Sequence, residues 1–88
     1  MKYLAPNNEE IELAEKLEKQ MLSVYGTPMI SGKTLSEALG YSSLDAFRQA
    51  IGRGTCPINV FKIDNRRGKF ALVRDIAQWM AKQRLKES

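Results

Sequence analysis

Thr34-Leu35-Ser36-Glu37-Ala38-Leu39-Gly40-Tyr41-Ser42-Ser43-Leu44-Asp45-Ala46-Phe47-Arg48-Gln49-Ala50-Ile51-Gly52-Arg53 is the stretch whose reading decides the fold: two short helices joined by a tight turn. Thr34 and Glu37 have the spacing of a capping box, and Leu35, Ala38 and Leu39 form one apolar face. Gly40 suits the stop of this first helix of about two turns. Ser42 or Ser43 then caps a second helix over residues 44–53. In it Phe47, Ala50 and Ile51 gather on one side with Leu44 near the edge, while Asp45, Gln49 and Arg53 recur at four-residue steps on the other. One side is made to pack, and the opposite side is a stripe of hydrogen-bonding groups.

Downstream, Gly52, Gly54 and Pro57 stop the helix, and Ile58-Asn59-Val60-Phe61-Lys62-Ile63 is rich in the β-branched and aromatic residues of a strand. Asp64-Asn65-Arg66-Arg67-Gly68-Lys69 has turn chemistry, and Phe70-Ala71-Leu72 returns as the partner strand, giving a hairpin with a basic tip. Residues 74–85 then read as a helix with Ile76, Ala77, Met80 and Trp79 inward and Lys82, Arg84 and Lys86 near its carboxyl end, where cations are favoured. A frayed end follows.

Upstream, Asn7 and Asn8 precede Glu9-Glu10-Ile11-Glu12, which marks a helix start: an amide oxygen caps free N–H groups and carboxylates suit the positive dipole end. Ile11, Ala14, Leu17, Met21 and Val24 form a narrow apolar stripe along it. The stripe must be covered, either by the rest of the domain or by a second copy of itself. Gly26 and Pro28 end this helix, and Met29-Ile30 is a short extended piece.

The 88 residues fit one domain with one modest core, and 43% hydrophobic with 27% charged residues is ordinary globular usage. Residues 1–6 hold no apolar run long enough for a signal peptide or membrane helix, so a cytoplasmic location is expected. The single cysteine, Cys56, cannot make an internal disulfide or a cysteine metal cluster, and reads as a small apolar filler. Net charge is +4 but unevenly placed: residues 1–25 carry three basic and five acidic side chains, or −2, and residues 26–88 eleven and five, or +6. The second part is the candidate nucleic-acid surface.

Catalysis and nucleotide binding find little support. There is no histidine, which removes serine–histidine and cysteine–histidine schemes. Glu9, Glu10, Glu12, Glu15 and Glu18 crowd one helix and read as a solvated face rather than a paired-carboxylate or metal site. Gly26-Thr27-Pro28-Met29-Ile30-Ser31-Gly32-Lys33-Thr34 is not a phosphate-binding loop, because five residues separate glycines where that loop needs four. Gly52-Arg53-Gly54 ends a helix instead of opening one, so it is no dinucleotide fingerprint. No enzyme activity, cofactor, metal site or small-molecule substrate is expected.

Short helix, tight turn, polar-faced helix, basic hairpin and closing helix are the parts of a winged helix-turn-helix, in which the second helix enters the major groove and the hairpin reaches along the backbone. The candidate contacts on the recognition helix are Ser42, Ser43, Asp45, Arg48, Gln49 and Arg53. Gln pairs with adenine and Arg with guanine, while Arg48 on the flank suits a phosphate. On the wing, Lys62, Arg66, Arg67 and Lys69 are placed to neutralise phosphates. The expected fold is therefore mainly α with a small β-hairpin, a winged helix-turn-helix over residues 27–88 preceded by an extra amino-terminal helix over residues 1–26, the two forming one unit.

Leu35-Ser36-Glu37-Ala38-Leu39-Gly40, the run from Ser43 to Arg53-Gly54 with Pro57, the wing Arg66-Arg67-Gly68, and Arg74-Asp75-Ile76-Ala77-Gln78-Trp79-Met80 give this segment a family likeness. Over about residues 31–83, some three-fifths of the chain, it resembles the small winged helix-turn-helix domains of phage and plasmid excisionases, which share the mercury-resistance-regulator (MerR) type fold, and it looks like pyocin-activator-like regulators of integrating elements. The turn after Gly40 is one residue longer than that family's and the Leu72-Val73-Arg74 junction one shorter. The resemblance implies a bacterial, phage or plasmid protein of the nucleoid that bends DNA or regulates transcription. Double-stranded DNA is the expected partner, and a homodimer through the first helix would match a palindromic or repeated site. The alternative is a protein-interaction module built on the same scaffold, with the acidic first helix offering its amphipathic face.

Overall fold

In a computed structural model of the chain, residues 7–86 are described. Residues 1–6, in which no leader is expected, and residues 87–88, where a frayed end is expected, lie outside them. Four helices and one small antiparallel sheet follow in the order α1 (Asn8–Tyr25), β1 (Met29–Ser31), α2 (Gly32–Ala38), α3 (Leu44–Arg53), β2 (Phe70–Leu72) and α4 (Val73–Lys86). The architecture is thus mainly helical with a minor β component.

α1 starts where the sequence places its cap: the Asn7 side-chain oxygen accepts from the Glu10 backbone N–H at 2.7 Å. It ends as Gly26 N–H donates to the Leu22 carbonyl at 2.8 Å. Of the apolar stripe, Ala14 and Met21 are buried and Leu17 packs against the core, and α1 lies along α4. The chain itself thereby covers the middle of the stripe. The ends depart from the expectation: Ile11 is 44% and Val24 77% exposed, because a narrow stripe on a straight helix drifts off the line of contact.

α2 begins at Gly32 with Ser31 as its cap residue, so the capping box expected of Thr34 and Glu37 does not form; Thr34 lies inside the helix and both side chains are exposed. Strand β1 hands the chain straight into the helix three residues earlier than the motif suggests. At the other end Tyr41 N–H donates to Ser36 O at 3.0 Å and Gly40 N–H to Glu37 O at 3.0 Å, the paired bonds of a Schellman stop, with Gly40 at φ +85°. α3 repeats the device: Thr55 N–H reaches Ala50 O at 2.9 Å and Gly54 N–H reaches Ile51 O at 3.1 Å, with Gly54 at φ +73°. A residue with a Cβ fits either position poorly, so the two glycines fix the lengths of both helices.

The sheet corrects the expected hairpin. Residues 58–63 do not form a strand; they contribute one bridge, Phe61 to Phe70, while the main partner of β2 is β1, with Met29 opposite Leu72, Ile30 opposite Ala71 and Ser31 opposite Phe70. Ile30 and Ala71 are buried and bring strong apolar cover to that pairing, whereas Ile58, Val60, Phe61 and Ile63 are only half-buried. The extended Met29-Ile30 piece is therefore the more important strand.

The core joins Met21, Ile30, Leu35, Leu39, Phe47, Ala71, Val73, Ile76 and Ala77. Leu35 of α2 and Val73 and Ile76 at the start of α4 are fully buried within it. Met80 and Trp79, expected inward on α4, are half-buried at the edge of this cluster, with Cys56 packed against it as a filler. Ala14 on α1 and Ala77 and Ala81 on α4 are buried small residues, which let the two helices lie close.

Candidate nucleic-acid interface

The α2–α3 turn is set by two serines. Ser43 caps α3, its hydroxyl oxygen accepting from Ala46 N–H at 3.0 Å. Ser36, 1% exposed, donates its hydroxyl to the Ser43 carbonyl at 3.0 Å. A buried hydroxyl needs a partner, and this one ties the middle of α2 to the first residue before α3. Tyr41 in the turn stacks against Phe47, ring centroids 5.6 Å apart at 47°. Burial pushes the Tyr41 phenol above its ordinary pKa of 10.0, and the nearby Cys56 adds to the rise.

With Phe47 and Ala50 buried in the core, the opposite side of α3 is turned outward. Asp45, Arg48, Gln49 and Arg53 are all exposed, as are Ser42 and Ser43 ahead of the helix. Two side-chain pairs organise this face. Arg48 lies 3.6 Å from the Asp45 carboxylate, both ends solvated, and Arg53 Nη2 donates to Gln49 Oε1 at 3.3 Å. Such exposed pairs add little to stability but bias where the side chains rest.

The basic segment between Phe61 and Phe70 is closed at its base by two backbone bonds, Phe61 N–H to Phe70 O at 2.9 Å and Phe70 N–H to Phe61 O at 2.8 Å. The two rings stack with centroids 6.4 Å apart. Further out, Arg66 N–H donates to Ile63 O at 3.0 Å and Asn65 stands at φ +64°, the φ pattern of a type II turn, in which asparagine or glycine suits the third position. Lys62, Arg66 and Arg67 are exposed and Lys69 is half-buried. Against one acid, Asp64, these four cations give the loop a charge of +3.

The charge split read from the sequence is redrawn by the fold. α1 carries five acids and two bases, or −3, and α4 four bases and one acid, or +3; the pair is neutral. Residues 27–72 carry seven bases (Lys33, Arg48, Arg53, Lys62, Arg66, Arg67 and Lys69) and three acids (Glu37, Asp45 and Asp64), or +4. Lys82, Lys86 and Arg74, counted with the basic part above, instead share one open groove with Glu10, Glu15 and Glu18 of α1. The groove, about 740 Å³, is also lined by Ile11, Ile58 and Trp79.

Sequence reasoning missed the Ser36 to Ser43 link and the Gln49 to Arg53 bond. The second was open to discovery, since four-residue spacing on a helix brings side chains together; the first has no local signature. Among the described residues no group of three or more His, Cys, Asp or Glu side chains is placed to hold a metal ion. Among them, too, no helix is long and apolar enough to cross a membrane. Comparisons with protein-family models, curated proteins and solved structures find no match to this chain.

Proposed function

We propose that this chain is a winged helix-turn-helix protein that binds double-stranded DNA at chosen sequences, with α3 as recognition helix and residues 62–69 as wing. The observation that carries the reading is the placement of charge: the whole net +4 of the described 7–86 stretch falls on residues 27–72, while α1 and α4 cancel. Duplex DNA is a dense line of negative charge, and a surface with uncompensated cations on a helix and a hairpin matches it. The element order supports the same assignment, with one short strand before the helix pair and another after the loop.

In this reading Lys62, Arg66, Arg67 and Lys69 neutralise phosphates and set register, Arg48 adds a flanking phosphate contact, and Asp45, Gln49 and Arg53 face base edges. Ser42 and Ser43 approach the backbone at the amino-terminal end of α3. The role is that of a transcription regulator or an excision accessory factor, as the resemblance to excisionase and MerR-type domains implies, and no catalytic step is assigned. Titration of ¹⁵N-labelled protein with a 20-base-pair duplex tests it: amide shifts are expected on α3 and residues 61–70 and not on α1. Shifts confined to the groove between α1 and α4 would reject the assignment in favour of an interaction module.

A further inference from the structure

The Arg53 to Gln49 bond sharpens which base the α3 face selects, and the inference rests on the DNA-binding reading above. Glutamine reads adenine with both ends of its amide: Oε1 accepts from the N6 amino group while Nε2 donates to N7. Here Oε1 already accepts from Arg53 Nη2 at 3.3 Å. That bond uses one of the two Oε1 lone pairs and ties the amide to the guanidinium, so the pair offers the groove mainly N–H groups: two on the Gln49 amide and those remaining on the guanidinium. Arg48, the other arginine of α3, rests beside Asp45, so Arg53 is the one that a neutral neighbour orients while leaving its charge in place.

The backbone beneath Arg53 is also fixed. It is the last residue of α3, and the bonds from Gly54 and Thr55 N–H, together with Thr55 Oγ1 to Ala50 O at 3.3 Å, hold the end of the helix in one geometry. A planar fork of donors, aimed from a fixed backbone and buttressed on one edge, complements two acceptors side by side. Of the four base edges in the major groove, guanine alone presents that pattern, with N7 and O6.

We propose that Arg53 is the base-selecting residue of α3, taking a guanine through N7 and O6, and that Gln49 is a positioning residue that aims it and does not read adenine. The site bound by each copy contains one guanine that depends on Arg53. Selection from a randomised duplex pool, followed by anisotropy on single-base variants, tests this with the parent, Arg53→Ala, Gln49→Ala and Gln49→Glu, each checked for native helicity.

The parent is expected to disfavour other bases at one position by about tenfold to a hundredfold, the range of a bidentate contact. Arg53→Ala abolishes that preference while still binding. Gln49→Ala weakens the same preference without releasing any adenine position, and Gln49→Glu, which restores an acceptor for the guanidinium, retains it. Replacing the chosen guanine by 7-deazaguanine removes N7; it weakens the parent by about tenfold and leaves Arg53→Ala unchanged.

An equal loss on every duplex in Arg53→Ala would make Arg53 a phosphate contact and overturn the proposal with DNA binding intact. So would loss of an adenine preference in Gln49→Ala. A parent that binds no duplex at low salt overturns the DNA-binding reading, and this proposal with it.

Discussion

The α1–α4 pair and the part formed by α2, α3 and the 62–69 loop use charge in opposite ways. In the first, an acidic helix lies along a basic one, −3 against +3, with buried alanines on both sides. In the second, seven cations meet three acids, and five of those cations, Arg48, Arg53, Lys62, Arg66 and Arg67, are exposed on α3 and the 62–69 loop. A domain that only needed to fold would gain nothing from leaving +4 on one half, because like charges repel and destabilise the compact state. The difference teaches that charge is cancelled by packing in one region and left uncompensated in the other, which is what the proposed DNA-binding role requires.

The sharpest way to break this comparison is to show that the two halves do not separate stability from binding. Ile76→Ala removes a fully buried α4 side chain from the core, and is expected to cost about 2–5 kcal/mol in urea unfolding followed by circular dichroism. The double variant Arg66→Ala/Arg67→Ala, on exposed positions, should stay within roughly 0.5 kcal/mol of the parent in the same assay. Comparable losses in both would mean that the 62–69 loop is a structural part of the core.

Gly54→Ala probes the junction of the two roles, since Gly54 ends α3 directly after Arg53. At φ +73° with no heavy atom within 4 Å of an added Cβ, the substitution meets backbone strain and no clash. About 1–2 kcal/mol of destabilisation is expected, visible as a lower urea midpoint at unchanged slope. A change below a few tenths would show that the stop is not held in the left-handed conformation.

The smallest effect is a pH dependence. The folded Tyr41 phenol titrates above its unfolded value of 10.0, chiefly because partial burial beside Phe47 disfavours the phenolate and secondarily because Cys56 is near. Stability from keeping the phenol neutral is therefore complete below pH 10 and falls as pH rises through the folded value. Urea midpoints of the parent should decline above pH 10 more steeply than those of Tyr41→Phe. Identical pH profiles would remove Tyr41 from the account of how the turn is held.

Much of this was legible in the sequence, for identifiable reasons. Caps are local, so the starts at Asn7 or Asn8 and at Ser42 or Ser43 and the stops at Gly40 and Gly54 could be read from their neighbours alone; the structure selects Asn7 and Ser43. The outward face of α3 followed from helical periodicity, and Asp45, Gln49 and Arg53 are exposed as expected. The strand at residues 58–63 was misread because β-branched composition reports a preference for a half-buried pleated surface; β2 pairs with β1 over three residues, and residues 58–63 add only the Phe61 to Phe70 bridge on its other edge. The capping box at Thr34 failed because the helix starts earlier, inside a glycine that the motif ignores. Charge compensation between α1 and α4 is a tertiary fact, with over fifty residues between the groups concerned, for example Glu10 and Lys86.

The most direct test of the central claim is fluorescence-anisotropy binding of the parent and Arg66→Ala/Arg67→Ala to a duplex across a salt series. Each phosphate neutralised contributes about 0.9 to the slope of log affinity against log salt. The account predicts a steep fall for the parent and a slope shallower by about 2 in the variant, as two lost phosphate contacts require. A parent that binds no duplex at low salt, or a variant with the parent's slope, would contradict it.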